Sequence, residues 1–277
     1  MLRARVLTSF WLVPLALLIF FFIPMDAFAL SLGLVLVIAG WEWIRLVDLF
    51  FKRSSWFVLF FFIGFIFFSY YLEIVYVPII LAIACGFWLG ALGLILNYPK
   101  SKKQFGDRWI KIGFGLLVLI PAYLALLDLR RHESHLLLLS LLITIIWAAD
   151  VGAYFFGKRY GRTRLAPNVS PGKSWAGLFG GLIAAIVIGL LAAFIGEPEE
   201  SRYTLVSWVW FVVIVTVTVL FSVLGDLFES LMKRECGVKD SSALLPGHGG
   251  ILDRIDSLTA AAPVFVLLVH WTGWPSI

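Results

Sequence analysis

The chain has 277 residues, of which 61% are hydrophobic and only 14% charged, and its mean hydropathy is +0.99. An ordinary soluble domain carries roughly a quarter charged residues, so this composition excludes one. The net charge of +5 reflects lysines and arginines gathered on one side of a membrane, as their placement below shows, and no nucleic acid is expected as a partner.

Apolar runs close to the ~20 residues that cross a bilayer recur along the whole sequence. They are continuous rather than alternating, and in lipid only helices or closed barrels satisfy every backbone polar group. The expected fold class is therefore all-α, a polytopic integral membrane protein with about nine transmembrane helices. Spans are expected at 6–23, 28–48, 56–72, 75–96, 111–129, 136–156, 175–196, 204–226 and 257–273. The first follows Arg3 and Arg5 and precedes Ala27-Phe28-Ala29, which resembles a signal peptide with its cleavage site. Its apolar core is long for that role and further spans follow at once, so it reads as a retained helix. The least defined boundary lies around Tyr71, Glu73 and Tyr76. One membrane domain covers 1–277, with N-terminal helices over 1–135 and a catalytic half over 136–277.

With the N-terminus in the cytoplasm and the spans alternating, 19 of the 22 lysines and arginines fall on the cytoplasmic side. Only Arg130, Arg131 and Arg202 fall outside, beside the acidic stretch EPEESR. This orients the polar segments toward the cytoplasm; the expected location is a bacterial cytoplasmic (inner) membrane. Cys85 lies in a span and Cys236 in a cytoplasmic loop, so no disulfide is implied. His132 and His135 form H-x-x-H in a short outer loop without accompanying carboxylates and read as a solvated loop. No Cys or His pair has structural-zinc spacing.

Ionisable residues in membrane helices are costly and call for a function. Four stand out: Glu42 in GWEWIRL, Asp150 in IIWAADVGAYFFGKRYG, and Asp226 and Glu229 in FSVLGDLFESLMKR. Asp226, Glu229 and Lys233 share one face of a continuing helix, and Asp253 and Asp256 share another. Singly, Asp253 and Asp256 read as first-turn carboxylates favoured by the helix dipole, and the lysines as interfacial anchors. Together with Gly249 and Gly250 of PGHGG, whose backbone lets a phosphate approach, they describe a magnesium–polyphosphate site. Magnesium suits a few carboxylates completed by water and substrate phosphates. A second polar stretch, GKRYGRTRLAPNVSPGKSWAG, brings Gly172-Lys173-Ser174 to a helix start. It is not a Walker loop, because Pro167 stands where that pattern needs glycine and no β-strand is expected ahead of it. A Ser/Gly/Lys loop at a helix N-terminus still suits an anion.

From Ser230 to Asp256 the chain matches a family signature through Met232, Lys233, Arg234, Lys239, Asp240, Ser242, Leu245, Pro246, His248, Gly249, Gly250, Ile251, Asp253, Arg254 and Ile255. The stretch resembles the phosphatidate cytidylyltransferases, also called CDP-diacylglycerol synthases. SPGKSWAG, GDLFES and AADVGAYFFGKRYG resemble other parts of the same family, whereas Ser242 stands where glycine is more usual. The resemblance implies that CTP and phosphatidate give CDP-diacylglycerol and pyrophosphate in phospholipid biosynthesis. It also implies the ions: magnesium (Mg2+) on Asp226, Asp253 and Asp256, and a potassium ion (K+) beside it. Lys239, Asp240 and His248 join those aspartates as expected catalytic residues. Ser170, Lys173, Ser174, Lys233, Arg234, Gly249, Gly250 and Arg254 are the expected substrate-binding residues. The expected partners are CTP, phosphatidate in the membrane and a second copy of the chain in a homodimer. A related CTP-dependent lipid enzyme, a polyprenol kinase or an ether-lipid cytidylyltransferase, is the alternative. A transporter using Asp150 and Glu42 lacks the paired broken helices that such a path needs.

Overall fold

The computed structural model describes residues 2–47, 59–60, 63–64, 68, 76–105, 107–196 and 203–275. Among the described residues eight long helices follow one another: α1 (Leu2–Phe21), α2 (Met25–Leu46), α3 (Val77–Leu96), α4 (Arg108–Arg131), α5 (His135–Tyr160), α6 (Trp175–Ile195), α7 (Leu205–Glu235) and α8 (Leu252–Thr272). Six of them, α2 to α7, are long and apolar enough to cross a membrane. The expected span at 56–72 lies almost wholly outside the described residues, as does EPEESR.

Helix α7 continues past its expected end at 226 to Glu235, which carries its polar end beyond the apolar stretch as one rigid rod. Starts are fixed by side chains. Asp107 accepts from Trp109 N at 2.8 Å, and Thr204 and Ser207 cap α7 reciprocally. Outward faces of the helices are apolar, with Leu30, Leu34, Ile79, Ile83, Ile183 and Val187 exposed. That is the surface expected against lipid.

Among the described residues one short sheet departs from helical structure, and it corrects the sequence expectation that no strand lies near Gly172-Lys173-Ser174. Strands β1 (Arg164–Ala166) and β2 (Ser170–Ser174) form an antiparallel ribbon between α5 and α6, with Arg164 opposite Ser174 and Ala166 opposite Ser170. The turn residues APNV let the chain double back, and Trp175 N donates to Thr163 O at 3.1 Å to close the ribbon's base.

Two packing features position the polar end. Helices α5 and α6 touch through small residues; a Cβ on Gly181 would stand 2.7 Å from Ala149 O. Beneath α7, Phe228 is 1% exposed and its ring packs within 6.4 Å of Trp43, 5.6 Å of Trp88, 5.5 Å of Phe87 and 5.7 Å of Phe114. This aromatic knot ties α7 to α2, α3 and α4. Aromatic packing fixes the rotation of α7, and so the direction in which Asp226 and Glu229 point.

The basic segments meet at one end of the bundle. There Trp43 Nε1 donates to Lys111 O at 2.8 Å, and Asn168 Nδ2 donates to Tyr98 O at 3.2 Å. At the opposite end Arg130 donates to Ile23 O at 2.7 Å, and His270 Nε2 lies 2.7 Å from Asp128 Oδ2. His132 and His135 serve a local turn, with Ser134 N donating to His132 Nδ1 at 3.0 Å.

Candidate active site

At the basic end, α5, the ribbon, α6 and α7 enclose a cavity of about 560 Å³. Its charged lining is Asp150, Lys158, Arg164 and Lys173. Three cations and one carboxylate give the lining an excess of positive side chains, which favours an anion. Lys173 Nζ lies 2.6 Å from Asp226 Oδ2 and 3.4 Å from Val223 O, so the last turns of α7 and the end of β2 are joined at the cavity rim. Ser174, next in β2, is buried; its Oγ accepts from Gly177 N at 3.1 Å and caps α6. Ser170 is half-buried at the start of β2. Arg234 Nε donates to Val169 O at 3.2 Å, pinning the ribbon's turn to α7.

The signature segment 236–251 folds as a loop between α7 and α8, closed by Leu245 N donating to Gly249 O at 2.8 Å. Asp253, in the first turn of α8 and ahead of the expected span, is its hub. Asp253 Oδ1 accepts from Lys233 Nζ at 2.6 Å. Oδ2 accepts from Gly250 N at 2.7 Å, with Ser241 N and Ser241 Oγ each at 2.9 Å. Burial alone would raise this carboxyl, but the hydrogen bond from Lys233 and those from Gly250 and Ser241 outweigh it and hold it at about 2. Lys233 reaches Glu229 Oε2 as well, at 2.5 Å, and so bridges the two helices.

A second carboxylate grips the same loop from the N-terminal helices. Glu42 of α2 is 0% exposed. Its Oε1 accepts from Ser242 Oγ at 2.6 Å and Ile251 N at 3.0 Å. Its Oε2 accepts from Leu252 N at 2.7 Å and Ser241 Oγ at 3.1 Å. Hydrogen bonds to a charged group contribute roughly 1.5–3 kcal/mol each, which offsets the cost of burying it. Gly250 is glycine because this space is taken. A Cβ there would lie 2.5 Å and 2.6 Å from the two Glu42 oxygens. The glycines of PGHGG thus make room for carboxylates, and one of their amides is directed at Asp253.

Helix α7 meets α8 at Gly225, where a Cβ would strike Asp256 O. This approach brings Asp226 near enough to Asp256 for their charges to interact, and Asp226 and Arg254 likewise act on Asp150. Lys239 and Asp240 lie on the exposed turn of the loop, and His248 is half-buried within it. The predicted residues therefore fall into two neighbouring groups. Asp226, Asp256, Lys173 and Arg254 are linked to the cavity, whereas Asp253, Lys233, Ser241 and Gly250 form the loop's internal frame.

Among the described residues no three His, Cys, Asp or Glu side chains stand close enough to hold a metal. Magnesium does not need three, since one or two carboxylates suffice beside substrate phosphates. Asp226 and Asp256 would supply such a pair only where Lys173 leaves Asp226 Oδ2. Asp253 would present Oδ1 only where Lys233 gives way.

Sequence reasoning passed over Lys158 and Arg164, which read as membrane anchors; Lys158 at the end of α5 and Arg164 at the start of β1 both line the cavity. Glu42 was singled out as a buried charge, but its partners lie 199 to 210 residues away and no spacing could reveal them.

With this geometry in hand, likeness to known proteins becomes specific. A model of the cytidylyltransferase family matches residues 3–272. The chain belongs to this family. It is 40% identical over 276 residues to a Pseudomonas aeruginosa protein named phosphatidate cytidylyltransferase, with 99% of each chain covered. A Haemophilus influenzae protein of the same name is 42% identical over 282 residues, covering 96% of this chain and 97% of its own. One from Rickettsia typhi is 37% identical over 177 residues, or 64% and 75% of the two chains. The cavity, the loop frame and the Asp226–Asp256 pair all fall within the matched region.

Proposed function

We propose that the chain transfers a cytidylyl group from CTP to phosphatidate, forming CDP-diacylglycerol and pyrophosphate. The observation that carries this reading is the near-full-length likeness to relatives bearing that name. The site supports it, because a cavity lined by Lys158, Arg164 and Lys173 adjoins Asp226 at the end of the bundle. A phosphate oxygen of phosphatidate attacks the α-phosphorus of CTP, the bond to the β-phosphate oxygen breaks, and pyrophosphate leaves with that electron pair. The nucleophile belongs to the substrate, so the protein's work is positioning and charge neutralisation. Lys158, Arg164 and Lys173 hold the triphosphate, and Arg254 adds positive charge at the start of α8. Asp226 and Asp256 would hold magnesium, which when bound offsets the triphosphate's negative charge. Asp253 and Lys233 keep the loop shaped for this arrangement.

In this reading the helices include nine spans across a bacterial inner membrane, with the cavity facing the cytoplasm, where CTP is available. Nineteen of 22 basic residues on one side support that orientation. The test is purified protein in detergent with labelled CTP and phosphatidate. Labelled CDP-diacylglycerol and one pyrophosphate per turnover are expected. Transfer of a bare phosphate to the lipid would instead make the chain a kinase and reject this proposal.

A further inference from the structure

The geometry points to Glu42 as the residue that positions the 241–252 loop, reaching across from the N-terminal helices to hold a loop belonging to the catalytic half. Three features of the molecule converge on it. The first is chemistry: four groups approach Glu42, and two of them, Ile251 N and Leu252 N, are backbone donors that cannot become acceptors. The second is helix physics. The amides at the start of a helix have no intrahelical partner, and Ile251, which precedes α8, supplies no side-chain cap. Glu42 supplies the cap from another helix, placing negative charge at the positive end of the α8 dipole. The third is the fit of Gly250, whose missing side chain leaves room for the Glu42 carboxylate.

Ser241 extends the linkage. Its Oγ lies 3.1 Å from Glu42 Oε2 and 2.9 Å from Asp253 Oδ2. A hydroxyl carries one proton, so it serves one carboxylate at a time while standing between both. Glu42 therefore fixes the place where Asp253 and Arg254 enter α8, without itself lining the cavity. It is a positioning residue, and its removal should lower turnover more than it weakens CTP binding.

Volume and acceptor chemistry can be separated. Glu42→Gln keeps the shape, but whichever way the amide is turned it sets an NH2 against either Ile251 N or Leu252 N. Glu42→Asp is shorter yet remains an acceptor-only anion. The order of activity expected is wild type, then Glu42→Asp, then Glu42→Gln; a residue that merely fills space gives Gln above Asp. For Glu42→Gln, kcat should fall at least tenfold while KM for CTP stays within threefold. Hydrogen exchange in a peptide spanning 241–256 should rise, with α4 unchanged. Glu42→Gln with turnover within threefold of wild type and unchanged exchange overturns the proposal, as does Gln above Asp. If Glu42→Gln does not accumulate as folded protein, Ser242→Ala decides, since it removes one donor and leaves the carboxylate. Exchange raised at 251–252 supports the anchor, and wild-type exchange and turnover reject it. The kinetic arm rests on the cytidylyl-transfer reading, whereas the exchange arm does not. Wild-type protein that makes no CDP-diacylglycerol sinks that reading, and exchange still tests the anchor.

Discussion

Lys173 Nζ meets Asp226 Oδ2 at 2.6 Å, joining the end of the β-ribbon to the polar end of α7 at the mouth of the cavity. Their side chains remain 24% and 33% exposed, so solvent screens the pair and it stabilises the fold by at most ~1 kcal/mol. Its value lies in where it places two charges. Lys173→Ala should lower turnover at least about tenfold, equivalent to ~1.4 kcal/mol of barrier, while the thermal midpoint in detergent shifts by no more than about 4 °C. Lys173→Arg should lose less, because charge is kept but shape and reach change. A midpoint shift well beyond that with normal residual turnover would assign the pair to folding instead.

Removal of divalent metal should abolish turnover. Asp226 and Asp256 are the proposed carboxylate pair, and a divalent cation there would offset the repulsion between two anionic substrates. Protein stripped with EDTA should be inactive and regain activity with magnesium. Replacing potassium by sodium in the same buffer tests the second expected ion. Undiminished turnover in EDTA contradicts the metal assignment.

The cavity end should face the cytoplasm. Ser101 and Ser241 would be poor reporters, because both are only 3% exposed and Ser101 Oγ donates to Leu94 O at 2.8 Å. Exposed Lys102 and Ala243 at the basic end, and exposed Glu133 at the opposite end, are suitable. In a background lacking Cys85 and Cys236, a membrane-impermeant maleimide added to intact cells should label Glu133→Cys and spare Lys102→Cys and Ala243→Cys. The reverse pattern inverts the orientation.

Much of the helical plan was legible because a bilayer demands long apolar runs and the chain supplies them at α2 to α7. The continuation of α7 to Glu235 was legible only in the i, i+4 match of Glu229 with Lys233. The ribbon was not legible. Its strands are three and five residues long and carry no alternating pattern, so turn chemistry around Pro167 and Asn168 decides it rather than periodicity. At the site, the sequence marks which residues are polar but not which partner each takes. Asp253 and Asp256 looked equivalent by spacing; one turns into the loop frame and the other lies near Asp226, because α7 and α8 touch at Gly225. Ser174 looked like an anion ligand and its hydroxyl caps α6.

That separation of the two aspartates gives the sharpest kinetic test. Asp253 faces four donor groups of Lys233, Ser241 and Gly250, so Asp253→Asn must turn its NH2 either toward Lys233 or toward the two amides. Either choice opposes donor to donor, leaves a buried group unsatisfied at a cost of roughly 1–3 kcal/mol, and distorts the loop whatever the metal concentration. Asp256→Asn changes a group proposed to hold the ion, so its loss should shrink as magnesium is raised. The measurement is kcat against magnesium concentration for wild type and both variants. Asp256→Asn should need at least about tenfold more magnesium for half-maximal rate, the equivalent of ~1.4 kcal/mol of lost binding. Asp253→Asn should keep the wild-type magnesium dependence while its maximal rate falls at least about tenfold. If it is Asp253→Asn whose deficit magnesium repairs, then Lys233 yields its place on Oδ1 to the ion, and Asp253 is a ligand rather than the frame of the loop.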